Sequence, residues 1–300
     1  MKQNALSNSS VLVSEIGYGC MSLGHDHAEN AKLLHRALDM GITFFDTADL
    51  YDRGFNEESV GRAFRGLRGR VVIASKVGNR WREDASGWDW DASPAYIRRA
   101  VEASLNRLQT DYLDLYQLHG GTLADDIGGV ITTFEDLKSE GLIRAYGISS
   151  IRPNVIREWL ERPGLASVML QYSLLDRRPE ESVLGLLDEQ NVGAIVRGPV
   201  AKGILSAAGA AKVPGGFLDH EPKVLTTARA ALQALVTPER TMAQLSLRYA
   251  LSHPAVSAVV PGASSAAQLE ENVGAAGTVL TPEELTALRA LDTTTYTQHR

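Results

Sequence analysis

Short apolar runs alternate with longer amphipathic ones along the whole chain. IGYGCM (16–21), TFFDTA (43–48), RVVIASK (70–76) and YLDLYQLH (112–119) read as strands. So do IRAYGIS (143–149), ASVMLQY (166–172), GAIVRG (193–198) and SAVVPG (257–262). Between and after them, spacing of 3–4 predicts helices over 28–40, 56–65, 94–108, 127–139, 153–160, 179–189, 239–251 and 265–275. Ser93 and Pro94 suit an N-cap and a first helical residue. A stretch from 203 to about 222 reads as irregular, and Thr281-Pro282-Glu283-Glu284 opens a last helix at 282–291 with a capping pattern. Eight strands, each followed by a helix, imply a parallel sheet. VVIAS and SAVV carry no polar face, as strands covered on both sides require. Eight such units in 300 residues fit a closed α/β fold, the (β/α)8 TIM barrel, ahead of an open doubly wound sheet. Residues 5–14, with Asn8-Ser9 as the turn, suit a hairpin that closes the barrel bottom. No shift in composition marks a linker, so residues 1–300 read as a single domain.

Composition narrows the function classes. The chain is 44% apolar and 22% charged, ordinary for a soluble globular protein, which excludes collagen, coiled coil and disorder. Thirty basic against 36 acidic residues give a net charge of −6, with no basic excess of the kind nucleic acid attracts. Cys20 is the only cysteine, so an intramolecular disulfide is impossible and a buried structural thiol is expected. MKQNALSNSSVLV lacks the apolar centre of a signal peptide, and no run approaches the roughly 18 apolar residues of a membrane span. Cytoplasmic residence without a membrane partner is the expectation. No feature specifies an oligomeric state.

The active site of such a barrel lies at the C-terminal ends of its strands. The second strand run ends near Asp46, with Tyr51 just beyond; the third ends at Lys76 and the fourth at His119. Each alone has an ordinary reading, Lys76 as a surface cation or His119 as a satisfied buried histidine. Together they put a carboxylate, a phenol, an amine and an imidazole on one rim, which suits proton transfer to a carbonyl oxygen. A phenol is a poor acid at neutral pH. A neighbouring ammonium favours the phenolate and is expected to lower the phenol's pKa, while a carboxylate fixes the ammonium. The histidine orients the carbonyl or relays the proton. Hydride has to come from a cofactor, since no side chain donates it.

These residues sit in familiar company. EIGYGCMSLG (15–24), GITFFDTADLY (41–51), VVIASKVG (71–78), SLNRLQTDYLDLYQLH (104–119), GLIRAYGISS (141–150) and VVPGASSAAQLEENV (259–273) resemble the aldo-keto reductase family. The resemblance spans nearly the whole chain. Its most specific part is Asp-Thr-Ala-x-x-Tyr at 46–51, joined to Lys76 and the final histidine of LYQLH. It implies a barrel enzyme that uses NADPH, less often NADH, to reduce small aldehydes or ketones. It implies catalytic roles for Asp46, Tyr51, Lys76 and His119, with Tyr51 as general acid.

No G-x-G-x-x-G follows a strand, and Gly198–Gly203 continues as Ile204-Leu205 where a P-loop needs Lys-Ser/Thr. The resemblance instead puts the cofactor on the later barrel loops. Ser149, Ser150 and Gln171 suit the nicotinamide carboxamide, which both donates and accepts. Gly198, Pro199, Lys202 and Gly203 suit the pyrophosphate. Gly262, Ser264 and Ser265 lead into a helix N-terminus that suits a phosphate, with Gln268, Glu271 and Asn272 further toward the adenosine. The plain alternative is that these groups serve loop backbone and caps. Gly262 and Gln268 stand where the best-known branch carries Lys and Arg for the 2′-phosphate, which weakens strict NADPH preference while keeping NADPH first. Arg197 stands where many members place an aromatic; it either stacks on the ring or pairs with an acid.

Residues 77–93 form a loop on the expected rim with Trp81, Trp88 and Trp90. They either wall the substrate or pack the loop down, with Tyr18, Met21 and Tyr51 on the opposite wall. The tail TTTYTQHR either closes the pocket or frays. Asp114 faces away from His119 by strand alternation, and His25-Asp26-His27 lacks further ligands for a metal. Two other functions compete: a regulatory subunit of the same fold that senses cofactor state, and an aldolase using Lys76 as a Schiff-base amine.

Overall fold

Valine, isoleucine and aromatic residues supply eight short parallel strands that suit burial on both faces. They are β1 (Tyr18–Gly19), β2 (Phe44–Asp46), β3 (Val72–Val77), β4 (Leu113–Leu118), β5 (Ile143–Ser149), β6 (Ser167–Gln171), β7 (Gly193–Arg197) and β8 (Val256–Val259). The computed structural model describes every residue except Asn8, Ala85 and Thr293. Each strand pairs with its successor in one eight-stranded sheet. The ends meet through a parallel bridge between Ile16 and Val259, with Gly17 N–H donating to Val259 O at 2.8 Å. The sheet therefore closes into the expected (β/α)8 barrel.

The helices are α1 (His27–Asp39), α2 (Phe55–Ala63), α3 (Pro94–Leu108), α4 (Ile127–Ser139), α5 (Pro153–Leu160), α6 (Val183–Glu189), α7 (Pro222–Gln233), α8 (Met242–Leu251), α9 (Ala266–Gly274) and α10 (Pro282–Arg289). Ser93 caps α3 through Tyr96 N–H, and Asp26 caps α1, which accounts for the middle of His25-Asp26-His27. None of the described helices is long and apolar enough to cross a membrane.

Alternation along the strands builds two cores. Phe44, Ala74, Leu115, Ala145, Met169, Ile195 and Ala258 fill the barrel, and Leu6, Val11 and Val13 plug its base. Those plug residues lie in or beside an antiparallel pair, Gln3–Ala5 with Leu12–Ser14; the expected turn residue Asn8 lies outside the described residues. A larger core between strands and helices takes the opposite faces, including Phe45, Ile73, Tyr116, Leu118 and Tyr146. The same alternation turns Asp46, Lys76, Gln117 and His119 into the barrel.

Three readings change. Helix α7 fills sequence left unassigned; its buried Leu225, Ala228 and Leu232 recur at spacings of 3 and 4. The irregular stretch before it contains tight turns at Ala201–Gly203 and Ala207–Gly215. The loop over 77–93 contains a two-stranded hairpin, Asn79–Trp81 with Trp88–Trp90. At the other end of the barrel Asp114 receives Arg68 Nη2 at 2.6 Å and Arg144 Nη1 at 3.0 Å, a clamp far from the rim.

Candidate active site

Asp46 ends β2, Lys76 is the penultimate residue of β3, and His119 follows β4, so three adjacent strands present them at one rim. Lys76 is fully buried, yet its ammonium donates to Asp46 Oδ2 at 2.7 Å, Thr47 O at 2.7 Å and Tyr51 Oη at 3.4 Å. An ammonium has three N–H donors, and all three are used. The Tyr51 ring meets His119 edge-on, with centroids 6.0 Å apart.

The turn after Tyr51 is held from behind. Asp52 and Arg53 both take left-handed φ, at 47° and 55°, and Gly54 follows at 90°. Non-glycine residues in that region cost about 1–3 kcal/mol each and need support from their surroundings. Here Arg107 of α3 packs against Gly54, where a Cβ would meet its Cδ at 2.5 Å. Arg107 also donates to Glu57 Oε2 at 2.7 Å, and Glu57 accepts from Ser75 Oγ beside Lys76. Glu57 is thus the fully buried centre of a clamp between α2, α3 and β3. Sequence reasoning missed Arg107, because only the packed helices bring it there.

Electrostatics separates the groups. Burial would lower the pKa of Lys76, but Asp46 and Tyr51 outweigh it and hold the ammonium protonated above its ordinary value. Burial raises Tyr51 above the ordinary phenol value; Lys76 and Arg197 oppose this without reversing it. The expected lowering of the phenol is therefore corrected: desolvation outweighs the neighbouring charge. Burial, with Lys76 and Arg197 nearby, pushes His119 down to about 3. The imidazole is neutral at ordinary pH, which favours orienting a carbonyl over relaying a proton. Asp49, between Asp46 and Tyr51, is pushed up to about 8 by burial and by Glu57.

The residues expected to bind cofactor fall on the opposite half of the rim. Ser149 ends β5 and Ser150 follows it; both are largely buried, and Ser150 Oγ accepts from Arg152 N–H. Arg197 ends β7, is exposed, and donates to Gln171 Oε1 at 2.8 Å, so its guanidinium meets an amide, where the sequence leaves both stacking on a ring and pairing with an acid open. Gln171 Nε2 donates to buried Asp176 at 2.7 Å, and Arg178 closes on the same carboxylate. Gln171 thus has both ends of its amide engaged, and Asp176, unnoticed in the sequence, anchors it. Gly198 is followed by Pro199 and then by Ala201, Lys202 and Gly203, all three with left-handed φ. Lys202 O accepts from Lys212 Nζ at 2.7 Å, a second cation that nothing in the sequence singles out.

After β8, Gly262 lies so close to Ser22 that a Cβ there would meet its Cβ at 2.8 Å. Ser265 caps α9, and Gln268 Oε1 accepts from Ser264 N–H and Oγ. Asn272 is buried and donates to Gly262 O, so it shapes the loop and does not reach out toward adenine as expected. The Glu271 carbonyl accepts from Gln244.

The expected substrate wall divides. Tyr18 is 1% exposed, its hydroxyl donating to Ala263 O, so it belongs to the core. Met21 is exposed on the turn after β1. Trp90 donates to Asp125 Oδ1 at 2.8 Å and lies against Gly78 and Gly120, which makes it the packing residue of the hairpin. Trp81 donates to Leu50 O beside Tyr51 and meets exposed Trp88 edge-on at 5.5 Å. The tail is not frayed over its described part: Tyr296 N–H donates to Glu181 at 2.6 Å, and His299 O accepts from Asn154 N–H.

Comparison with known proteins agrees with the fold. The model of the Aldo/keto reductase family matches residues 15–293. An uncharacterized oxidoreductase, YqkF, of Bacillus subtilis (strain 168) is 49% identical over 296 residues, covering 97% of this chain and 96% of its own. The holo form of the aldo-keto reductase AKR11C1 from Bacillus halodurans superimposes with a TM-score of 0.94 at 47% identity, covering 100% and 99% of the two chains. More distant proteins differ in cofactor. An NADH-specific methylglyoxal reductase of Escherichia coli (strain K12) is 29% identical, covering 97% of this chain and 98% of its own. An aldo-keto reductase from Klebsiella pneumoniae, solved with NADPH, is also 29% identical, with a TM-score of 0.78 and coverage of 100% and 98%.

Proposed function

The chain belongs to the aldo/keto reductase family, whose function is NAD(P)H-dependent carbonyl reduction; on that premise we propose that Tyr51 is the general acid of a cytoplasmic reductase of small aldehydes or ketones, built as one barrel domain over residues 1–300. The observation that carries this reading is the saturated ammonium of Lys76, bonded to Asp46, Thr47 O and Tyr51. A substrate carbonyl oxygen at the mouth accepts from Tyr51 Oη–H. As the proton crosses, charge develops on the phenol oxygen beside the Lys76 ammonium, in a buried setting where that attraction is strong. Asp46 keeps Lys76 charged and aimed. Neutral His119 donates to the same carbonyl oxygen and fixes its direction. Lys76 has no free lone pair for imine formation, which argues against the aldolase.

The donor set on β5 to β8 fits a dinucleotide. Ser149, Ser150 and Gln171 offer donors and acceptors for a carboxamide. The planar guanidinium of exposed Arg197 suits stacking on a ring. The turn over Gly198–Gly203, with Lys202, and the capped start of α9 at Ser264-Ser265 suit phosphates. Once bound, a reduced nicotinamide supplies the hydride that no residue of the chain can. NADPH is the preferred form in this reading, held at its 2′-phosphate by hydroxyls and backbone N–H groups; NADH is the alternative.

Absorbance-monitored oxidation of NADPH and of NADH against a panel of aldehydes, ketones and diones tests the reading. Turnover is expected with a reactive aromatic aldehyde, faster with NADPH. Absence of turnover with either cofactor overturns it, and equal rates overturn the cofactor preference alone.

A further inference from the structure

Four buried side-chain atoms without a hydrogen-bond partner belong to three residues of the barrel interior: Asp46 Oδ1, His119 Nδ1, and both amide atoms of Gln117. Gln117 is 0% exposed. Register sets it beside Lys76 on one side and Gly147 on the other. Strand alternation puts it two residues below His119 on the same inward face, and Gly147 adds no side chain to the space next to it. Lys76 bonds Asp46, so the unpartnered carboxylate oxygen belongs to the residue held by Gln117's neighbour.

Counting donors and acceptors decides what such an amide can do. A carboxylate oxygen only accepts. A neutral imidazole has one donor and one acceptor nitrogen, and the partner of one fixes the role of the other. His119 is neutral, since burial holds its pKa at about 3. Gln117 Nε2 carries two N–H donors; of the unpartnered atoms on this part of the barrel interior, Asp46 Oδ1 can only accept, and His119 Nδ1 accepts in the tautomer that keeps the proton on Nε2. Buried polar groups are rarely left unpaired, and an internal water is a common bridge where they do not touch.

We infer that Gln117 is a positioning residue: its amide N–H groups, bridged by internal water, serve Asp46 Oδ1 and His119 Nδ1 and so hold His119 as the Nε2–H tautomer. Only that tautomer leaves Nε2–H free to donate to a carbonyl oxygen at the mouth. With Nδ1 protonated instead, Nε2 would be an acceptor facing another acceptor. The inference rests on the carbonyl-reducing role given to His119, but the tautomer is a property of the protein alone and can be read without cofactor or substrate.

The test is imidazole nitrogen NMR on the ligand-free protein labelled with 15N-histidine, His119 being assigned by the signals that His119→Gln removes. The expected wild-type result is a single neutral Nε2–H pattern, unchanged from pH 5 to 8. In Gln117→Leu that pattern is expected to become mixed or Nδ1–H, with kcat falling roughly 10–100-fold and cofactor affinity unchanged. Gln117→Asn, which keeps the donors on a shorter stem, should recover part of both. A wild-type Nδ1–H pattern overturns the inference whatever the variants do, including any that fail to fold. So does a Gln117→Leu protein that keeps the pure Nε2–H pattern. A protein with the expected tautomers but without carbonyl turnover would instead defeat the functional reading.

Discussion

The two halves of the barrel rim satisfy their polar groups in opposite ways. From β2 to β4, Asp46, Lys76 and Tyr51 lock together in a largely buried cluster, backed by the Glu57–Arg107 pair and a strained turn. From β5 to β8, polar groups at the surface bond one another across the loops, Arg197 to Gln171 and Ser264 to Gln268. The first half is organised before any ligand arrives, as electrostatic catalysis requires. On the proposed reading, a ligand of the second half would have to displace internal hydrogen bonds, so each contact there would contribute only a difference. Chemistry and binding should therefore respond to substitution on different scales.

The largest effect is expected at Tyr51. Tyr51→Phe should lower kcat by about 100- to 10,000-fold while the cofactor Kd, measured by fluorescence titration, stays put. Normal turnover would remove the general-acid assignment. Next comes the buried ion pair. Lys76→Met strands Asp46 without its partner and should cost about 3–5 kcal/mol in urea unfolding. Adding Asp46→Asn should restore part of that loss, and a double variant no more stable than Lys76→Met would show the pair to be uncoupled.

Backbone substitutions sharpen the contrast. Gly54→Ala forces a Cβ onto Arg107 at positive φ and should cost roughly 2–3 kcal/mol. Gly198→Ala, where the nearest atom is Gln171 Cγ at 3.7 Å, should cost only about 1 kcal/mol. Equal losses would mean that the two turns are supported alike.

A smaller, pH-dependent effect follows from His119. Its folded pKa near 3 lies below the ordinary 6.5. Between those values the unfolded chain binds a proton that the folded chain refuses. Its contribution to stability is therefore present above pH 6.5 and is lost as pH falls toward 3. His119→Asn should flatten the acid limb of a thermal-melting profile, and an unchanged limb would assign it to other groups. The smallest effect is expected at Gln268. Gln268→Arg should tighten NADPH several-fold without changing NADH if that side chain faces the 2′-phosphate; identical affinities would retire that placement.

Much of this arrangement was legible in the chain. Strand period and helix spacing give the barrel order, and the end of each strand gives Asp46, Lys76 and His119. Tyr51 lies just beyond the second strand, and the resemblance adds its general-acid role and the loops expected to hold a cofactor. Other side chains take partners the sequence does not indicate, for physical reasons. Tyr18 and Trp90 are amphipathic, and sequence does not say whether their polar tip meets a ligand or, as here, Ala263 O and Asp125. Asn272 turned inward because the Gly262 carbonyl needed a donor. Gln117 sat in plain view, two residues before His119, and alternation alone would have turned it inward.

By itself the sequence determined the order of the strands, the residues at their ends and the chemical types at the rim, because local periodicity and residue chemistry are written along one dimension. Only the tertiary structure decided which group wins each contest of burial against charge. Tyr51 rises despite Lys76, Lys76 stays charged though fully enclosed, and His119 gives up its proton. Those outcomes depend on distances and desolvation among residues up to 151 positions apart, such as Arg197 and Asp46, and no spacing along the chain encodes them.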